Sequence, residues 1–515
     1  MKQYVLGVDG GTESFRAGVF DVSTGVCAGF GIAENLTTYP AAGYAEQTVD
    51  RWDAALVHSI RAAIASSGVP AEEIGSVGID GTTCTLVLLD ERGAALRPAL
   101  LWMDVRAAAE AREITEVAGQ LSCTGGGLIS AEWFPPKALW LKRNEAEIYS
   151  RTRTLFEQTD WIAFRLTGET TLNINTITAR WLYNAREGGW PLSLFDAVGL
   201  GEVAERFPPR IVRVGEPVGG LSAEMASLTG LRAGIPVAGG ASDAYISLAG
   251  INVLSPGRIA LITGSSQLQM GLSASPVHAK GLFGSFPDAI VPGFEVVEAG
   301  QVSTGSVLKW FVTHFVGREV HEQAARSGRT VYQELDEQAK RLPPGSEGLV
   351  VLEHWQGNRT PWTDPTSRGV IRGLTLRHTA AHLYRAIMEA AAYATRIILD
   401  LMHASGIAAE RIIACGGATK SELWMQIISD VCDKPISLTA EPQAAALGSA
   451  IAAAVASGVY ADLPEAASHM VRTEDRYHPD EVRTSAYAEY IRQYRATYEA
   501  LKDESKRLAS LVNRA

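Results

Sequence analysis

The sequence predicts an α/β protein made of two similar large domains with a cleft between them. The chain has 515 residues, more than one hydrophobic core usually serves. A strand, a glycine-rich turn and a second strand occupy residues 4–21, and the same pattern returns at 257–273. Each half also contains a strand, a glycine-rich turn and a helix, at 234–250 and 411–431. Such repetition favours a duplicated domain with a ligand site between its copies.

The N-terminal elements alternate between strands and helices. Residues 48–67 carry apolar side chains at helical spacing and predict a helix after the first hairpin. Residues 76–90 repeat the strand–turn–strand pattern of that hairpin. The unit at 234–250 places Asp243 near the start of its helix. Pro256 and Gly257 then punctuate the chain, and a domain boundary is expected there.

The C-terminal elements begin with the second hairpin and are mainly helical afterwards. A strand feeding a helix is predicted at 294–312, and a long amphipathic helix at 379–403 is closed by Gly406. A final helical run spans 481–511. The predicted domains are residues 1–250, residues 251–460 and a C-terminal helical extension at 461–515.

Composition and charge exclude several classes of protein. Apolar residues make up 46% of the chain and charged residues 20%, which is typical of a well-cored globular protein. The net charge of −11 disfavours nucleic acid and anionic membranes as partners, so an anionic ligand must be held locally. The cysteines lie far apart and form no CxxC pair, which argues against disulfides and zinc. They are Cys27, Cys84, Cys123, Cys415 and Cys432.

The chain shows neither a secretion signal nor a membrane span. A strand begins within the first few residues, which leaves no room for a signal peptide. The small-apolar tract at 444–458 is too short and too rich in Ala, Gly and Ser to span a bilayer, and it predicts a buried helix. A cytoplasmic location is therefore expected.

The turn Asp-Gly-Gly-Thr at 9–12 suits a phosphate site. Glycine lets backbone N–H groups converge on an anion, and Asp9 could hold a hydrated Mg²⁺, which needs only one or two carboxylates. Neither GxGxxG nor GxxxxGK[ST] occurs at this turn, so dinucleotide-binding and P-loop folds are not indicated. The alternative is an ordinary type I′ hairpin turn. Similar small-residue turns at 263–266 and 415–424 suggest one nucleotide held from both sides.

Seven stretches together resemble a known family. They are GVDGGTESFRA (7–17), GIDGTTCTLVLLD (78–90), LLWMDVRA (100–107), GGLISAEWFPPKALWLKRN (126–144), VPGFEVVEAGQ (291–301), GNRTPWTDPTSRGVIRGL (357–374) and CGGATKSELWMQ (415–426). From about residue 4 to 460 the chain resembles the FGGY carbohydrate kinases of the actin-like ATPase superfamily, and among them the ribulokinases, especially the D-ribulokinase type. The resemblance implies two RNase H-like domains flanking a central nucleotide and sugar cleft.

The resemblance implies that Asp243 is the general base. Phosphoryl transfer to an alcohol needs a carboxylate to accept the hydroxyl proton, and Asp243 follows a strand at the edge of a sheet. The alternative is a helix N-cap, whose loss costs about 1 kcal/mol of stability. The two roles differ in outcome, because loss of a base lowers turnover without unfolding the protein.

The sugar is expected to contact buried polar groups matched to its hydroxyls. By position in the resembling motifs, the candidates are Thr83, Cys84, Asp104, Arg180, Asp243 and Glu298. Arg180 stands where similar ribulokinases carry a lysine. For Asp104 the alternative is a local ion pair with Arg106, and for Glu298 it is a turn or cap residue.

ATP and Mg²⁺ are the expected nucleotide substrate and metal. The candidate ATP-binding residues are Gly11, Thr12, Glu13, Thr263, Gly264, Ser265, Gly416, Gly417 and Ala418, with Asp9 expected to hold the metal through water. Thr12 could equally bond its own backbone at a strand edge. For Trp102, Trp133 and Trp181 there are two alternatives, stacking against the sugar or packing in the core. The histidines are not spaced as ligands of a transition metal.

Two positions depart from the ribulokinase pattern near the expected sugar pocket. Gly81 stands where ribulokinases tend to have Ala or Phe, and Val105 where the D-ribulose type has a histidine. The expected function is ATP-dependent phosphorylation of the terminal hydroxyl of a ketopentose, ribulose first. Xylulose or a short sugar alcohol (erythritol, ribitol or glycerol) is the alternative substrate, and a nucleotide-switched ATPase without a sugar is the alternative of another class. A homodimer is a further expectation.

Overall fold

The computed structural model describes residues 2–119 and 128–512. Cys123 and the first two residues of the stretch at 126–144 lie outside them. Strands β1–β13 of the N-terminal half (residues 4–250) are Tyr4–Gly10, Ser14–Asp21, Cys27–Glu34, Glu46–Gln47, Ile74–Gly81, Leu86–Leu89, Ala99–Leu100, Thr154–Glu157, Leu172–Asn173, Ile211–Val212, Pro217–Gly220, Pro236–Ala238 and Ala241–Ser242. Helices α1–α9 are Val49–Ser67, Ala108–Ala118, Phe134–Asn144, Ala146–Arg151, Gln158–Thr167, Ile174–Arg180, Leu192–Ala197, Ala223–Thr229 and Asp243–Gly250.

The C-terminal half (residues 257–512) has the same kinds of element. Strands β14–β22 are Gly257–Thr263, Gln267–Ser273, Gly284–Pro287, Glu295–Gln301, Val350–Leu352, Val370–Arg372, Ala409–Gly416, Ile436–Thr439 and Thr473–Tyr477. Helices α10–α17 are Gly305–Phe315, Arg318–Arg326, Val331–Ala339, Ala380–Ala404, Glu422–Cys432, Ala444–Ala456, Leu463–Met470 and Glu481–Val512. The helices predicted from the sequence, and the hairpins at 4–21 and 257–273, are present within a few residues of their expected bounds.

The two large sheets share one strand order. In the first, β3-β2-β1 form an antiparallel meander, and β5 and then β12 add parallel to β1. In the second, β17-β15-β14 form the meander, and β20 and β21 add in the same way. The predicted duplicated α/β fold is confirmed by this repetition.

The predicted repeat of the hairpin at 76–90 is wrong in its pairing. Its first strand, β5, lies in the large sheet beside β1, whereas its second, β6, joins a separate sheet of order β4-β7-β6-β8. The turn at residues 82–85 therefore links two sheets. This arrangement places the turn beside the end of β1, where the first hairpin also turns.

Helix α15, the predicted buried helix, packs on the sheet of the other half. A Cβ at Gly7 would lie 2.0 Å from the carbonyl oxygen of Ala446, and a Cβ at Gly78 would lie 1.8 Å from that of Ser449. Only glycine lets the helix backbone approach β1 and β5 so closely. Residues 444–471 consequently share a core with the N-terminal half, although they follow the C-terminal sheet in sequence.

Helix α17 packs on its own chain. Its buried tyrosines, Tyr487, Tyr494 and Tyr498, belong to the hydrophobic core of the C-terminal half. Across residues 2–119 and 128–512, no helix combines the length and the apolar character needed to cross a membrane.

Candidate active site

A cavity of about 790 Å³ lies between the two halves and is lined by residues of both. The hairpin turn after β1, the turn after β5 and the start of α9 form its wall on the N-terminal side. The turn after β14, strand β17 and the loop after β18 form the opposite wall. Ten of the predicted site residues line it: Asp9, Thr12, Thr83, Cys84, Arg180, Asp243, Thr263, Gly264, Ser265 and Glu298.

Two aspartates, Asp9 and Asp243, line this cavity, and a third, Asp80, is buried beside Asp9. Asp9 and Asp80 are neighbours in the parallel pair β1–β5, and both are buried. Arg16 pairs with Asp9 at 3.1 Å, and the Ser449 hydroxyl on α15 donates to Asp80 at 2.7 Å. Burial raises the pKa of Asp9 and, together with the charge of Asp9, holds the pKa of Asp80 well above its usual range. A divalent cation would relieve this crowding of negative charge.

Asp243 is the first residue of α9, and Ser242 occupies the N-cap position. The Asp243 carboxylate accepts a hydrogen bond from the adjacent Ala244 N–H at 2.7 Å and faces the cavity. The capping alternative therefore finds no support in the geometry. Burial, and next the charge of Asp9, raise the pKa of Asp243 to about 6. A base with this pKa is ionised at neutral pH and is stronger than an ordinary aspartate.

The first hairpin turn is held through Thr12. The Thr12 hydroxyl accepts from the Trp102 indole at 3.0 Å, and its carbonyl accepts from Gln47 at 2.7 Å. Trp102 itself lines the cavity and is partly exposed. Gly11 and Glu13, two of the predicted ATP-binding residues, flank Thr12 but are not part of the lining.

A second group of lining residues is built around Glu298. Its Oε2 atom accepts from Arg180 at 2.9 Å and from the Tyr245 hydroxyl at 2.7 Å, and all three side chains are buried. Four aromatic rings surround the Arg180 guanidinium, with centroids 5.2–5.9 Å from Cζ: Trp133, Tyr245, Phe283 and Phe286. The pair with Glu298 raises the pKa of Arg180 against the effect of burial, so the arginine stays charged. This group offers fixed donors and acceptors to a polyhydroxylated ligand.

Cys84 holds the turn between β5 and β6. Its φ is +57°, and its peptide is bound on both sides, because its N–H donates to Glu157 at 2.8 Å and its carbonyl accepts from Lys137 at 2.7 Å. Burial raises the pKa of the Cys84 thiol to about 12. Cys84 therefore presents a neutral thiol to the cavity beside Thr83.

Asp104 does not reach the cavity. It is fully buried, accepts from the Ala45 N–H at 2.7 Å, and forms a bidentate pair with Arg106 through Nε and Nη2 at 2.7–3.0 Å. Both carboxylate oxygens are thus occupied. The geometry supports the local ion pair rather than a sugar contact. Trp133 and Trp181 are likewise buried, and Trp181 stacks on Phe134.

The turns of the C-terminal half meet at Thr263. Its hydroxyl donates to the Cys415 carbonyl at 2.8 Å and accepts from the Ala418 N–H at 3.0 Å. Gly416, Gly417 and Ala418 follow β20 alongside this contact but outside the cavity lining, and a Cβ at Gly417 would meet no atom within 4 Å. The edge near Gly417 is therefore open to a ligand.

Several lining residues were not identified from the sequence: Arg16, Glu132, Tyr245, Gln356 and Arg359. Arg16, Glu132 and Arg359 lie within stretches that carry the family resemblance, and that position was the available signal. The described residues contain no group of three or more His, Cys, Asp or Glu side chains that could enclose a metal. A hydrated Mg²⁺ held by Asp9 needs no such group.

Comparison with known proteins assigns the family. Residues 4–250 match the N-terminal domain of the FGGY family of carbohydrate kinases, and residues 259–457 match its C-terminal domain. The chain belongs to this family. A ribulokinase of Halalkalibacterium halodurans is 33% identical, with 99% of this chain and 97% of that protein covered. The human FGGY carbohydrate kinase domain-containing protein is 32% identical, with 91% of each covered.

Solved structures agree with this assignment. The crystal structure of xylulose kinase from Rhodospirillum rubrum matches with a TM-score of 0.85 and 28% identity, over 98% of this chain and 99% of that one. A Plasmodium falciparum glycerol kinase with ADP matches with a TM-score of 0.81 at 17% identity, over 95% and 97%, and so shows the fold alone. This FGGY kinase is thus a phosphotransferase that transfers phosphate from ATP to an alcohol group of a small sugar.

Proposed function

We propose that this FGGY kinase phosphorylates the terminal hydroxyl of a ketopentose, with ribulose as the first candidate. The observation that carries the proposal is one cavity lined by two distinct groups of residues. In the first group, Asp243 has a pKa of about 6 beside Asp9. In the second, Glu298, Arg180 and Tyr245 form a buried polar floor. The likeness to ribulokinases at 33% identity supports ribulose. The likeness to a xylulose kinase at 28% keeps xylulose as the second candidate.

The residues divide the reaction between them. Asp243 accepts the proton of the attacking hydroxyl. Thr12 lies on the N-terminal side of the phosphates, and Thr263, Gly264 and Ser265 lie on the C-terminal side. Mg²⁺ near Asp9 would supply neutralising charge to the phosphates. Because buried Asp80 lies directly beside Asp9 in the sheet and adds to the negative charge there, the donor set fits a hydrated cation near Asp9.

The test is ADP release with Mg²⁺-ATP across ribulose and xylulose isomers, ribitol, erythritol and glycerol. One ketopentose is expected to give strong turnover. Asp243→Asn should lower kcat by roughly 10²- to 10⁴-fold with an unchanged melting temperature. Asp50→Asn is the matched control, because Asp50 is an exposed acid in the first turn of α1. The acid limb of kcat/KM should fall below pH 6 in the wild type.

Two outcomes would contradict the proposal. If no sugar stimulates ADP release, the ketopentose assignment fails. If Asp243→Asn keeps the activity of Asp50→Asn, Asp243 is not the base. The expected homodimer and cytoplasmic location stay predictions from the sequence.

A further inference from the structure

Arg359 differs from the other two arginines of the cavity. Arg16 pairs with Asp9 and Arg180 pairs with Glu298. Within the described part of the chain, no hydrogen bond or ion pair joins the Arg359 guanidinium to a protein group. A half-buried guanidinium with five donors and no acceptor is placed to bind an acceptor on a ligand.

Arg359 lines the cavity close to the group of residues around Glu298. The guanidinium carbon of Arg359 lies 4.9 Å from the centroid of the Phe283 ring, and that of Arg180 lies 5.2 Å from the same centroid. The two arginines therefore share one aromatic ring. Asp243 lines the same cavity, close to the charges of Asp9 and Arg16.

The backbone next to Arg359 is hydrogen-bonded to strand β17, which carries Glu298. The Thr360 N–H donates to the Gly300 carbonyl at 3.2 Å, and the Gly300 N–H donates to the Thr360 hydroxyl at 3.3 Å. Gly300 lies two residues after Glu298 on β17. These hydrogen bonds therefore fix the backbone position of Arg359 relative to Glu298. A side chain whose backbone is anchored loses less entropy on binding.

Helix α17 contacts the same loop through hydrogen bonds and ring stacking. The Tyr494 hydroxyl donates to Glu353 at 2.8 Å, and the Tyr498 hydroxyl donates to Asp364 at 3.1 Å. The Trp362 ring stacks on Tyr498 with centroids 3.9 Å apart. Gln356 and Arg359, which line the cavity, therefore lie on a loop that is tied to the C-terminal helix.

We propose that Arg359 is a specificity-determining residue that donates to the C1 hydroxyl and C2 carbonyl oxygens of a 2-ketose. The proposal rests on the proposed function and names the orientation of the substrate, whose terminal hydroxyl faces Asp243. A guanidinium fork matches two adjacent oxygen acceptors. A sugar alcohol has no carbonyl at C2, so Arg359 favours ketoses over ribitol or glycerol.

The test compares a ketopentose with its 1-deoxy analogue on wild type and Arg359→Met. Methionine keeps an apolar stem against Phe283 and removes every donor. The wild type should lose about 10- to 100-fold in kcat/KM with the analogue, the range of a hydrogen bond to a charged group. Arg359→Met should lose a similar factor with the full sugar and no longer distinguish the two. Arg368→Met is the control, since Arg368 donates only to carbonyls of its own loop.

The possible outcomes separate this inference from the proposed function. If Arg359→Met discriminates against the 1-deoxy sugar as strongly as the wild type does, the contact does not exist. If the wild type phosphorylates no ketose, both proposals fail. Sugar binding by calorimetry without nucleotide shows whether the loss lies in binding. If the methionine variant does not fold, Arg359→Lys should show the reduced discrimination of a charge without a fork, and full discrimination would overturn the proposal.

Discussion

The two halves of the molecule share a strand order but not the chemistry at the edge of their sheets. In the N-terminal half, the parallel pair β1–β5 places Asp9 beside Asp80. In the C-terminal half, the corresponding pair β14–β20 places Thr263 beside Gly416. Duplication therefore supplied two equivalent turns facing one cavity. The edge at β1–β5 carries two carboxylates, and the edge at β14–β20 carries a hydroxyl group and a glycine backbone.

The largest expected difference between the halves is in turnover. Asp9→Asn should lower kcat by on the order of 10³-fold, since it removes the charge proposed to hold Mg²⁺, and metal stabilisation is worth several kcal/mol. Thr263→Val should raise the KM for ATP by about 10-fold or less, because it removes two hydrogen bonds at the other turn. Steady-state kinetics at varied Mg²⁺ measures both. Equal effects would break the division of roles between the two turns.

The next difference between the halves is in how much a glycine-to-alanine substitution lowers the free energy of unfolding. Gly78→Ala places a Cβ 1.8 Å from the Ser449 carbonyl oxygen of α15. The strand backbone fixes the position of the Cβ, and the oxygen belongs to the helix backbone, so neither atom can move freely. The expected loss is about 3 kcal/mol in the free energy of unfolding. Gly417→Ala, at an open position of the C-terminal turn, should change it by less than about 0.5 kcal/mol. Denaturant unfolding of both variants measures these losses. An unchanged free energy of unfolding for Gly78→Ala would show that α15 does not pack closely on the sheet.

The smallest difference is in the pH dependence of stability. Burial raises the pKa of Glu157 to about 8, so the folded state holds a proton that the unfolded state has lost between pH 4.5 and 8. Stability therefore falls as pH rises through that window. Burial lowers the pKa of His354, in the C-terminal half, to about 4, so that its contribution rises between pH 4 and 6.5. The nearby Glu353, with a pKa raised to about 7, acts as Glu157 does.

Glu157→Gln isolates the N-terminal part of this dependence. In the wild type, Glu157 should lower the free energy of unfolding by on the order of 2 kcal/mol between pH 5 and 8, and the variant should lack this decline. Urea unfolding at a series of pH values measures it. The substituted amide also presents a donor toward the Cys84 N–H or the Trp181 indole, which costs a similar amount at every pH. The readout is therefore the change in unfolding free energy with pH, and not its value at any single pH. An unchanged slope would place the titration elsewhere.

The fold followed from local patterns, and the site did so only in part. Glycine-rich turns after apolar strands located Asp9, Thr263 and Asp243, because a strand end fixes where the next side chains point. For Asp104 the geometry favours the ion pair over the sugar contact, since a motif gives a position in sequence and not the neighbouring Ala45 and Arg106 that bind its oxygens. Arg359 was missed because its place depends on contacts with Gly300, distant in sequence. The pairing of β5 and β6 depended on non-local partners in the same way.

The seat of α15 on the first sheet has a consequence for synthesis on the ribosome. The first 250 residues emerge without the helix that covers β1, β5 and α9, and that helix is complete only at residue 456. At the usual pace of translation the interval is roughly 10–40 s, during which the apolar face of the sheet has no partner. The N-terminal half of this FGGY kinase therefore cannot finish folding cotranslationally as an independent unit. Chaperones and the timing of translation have a window in which to act on it.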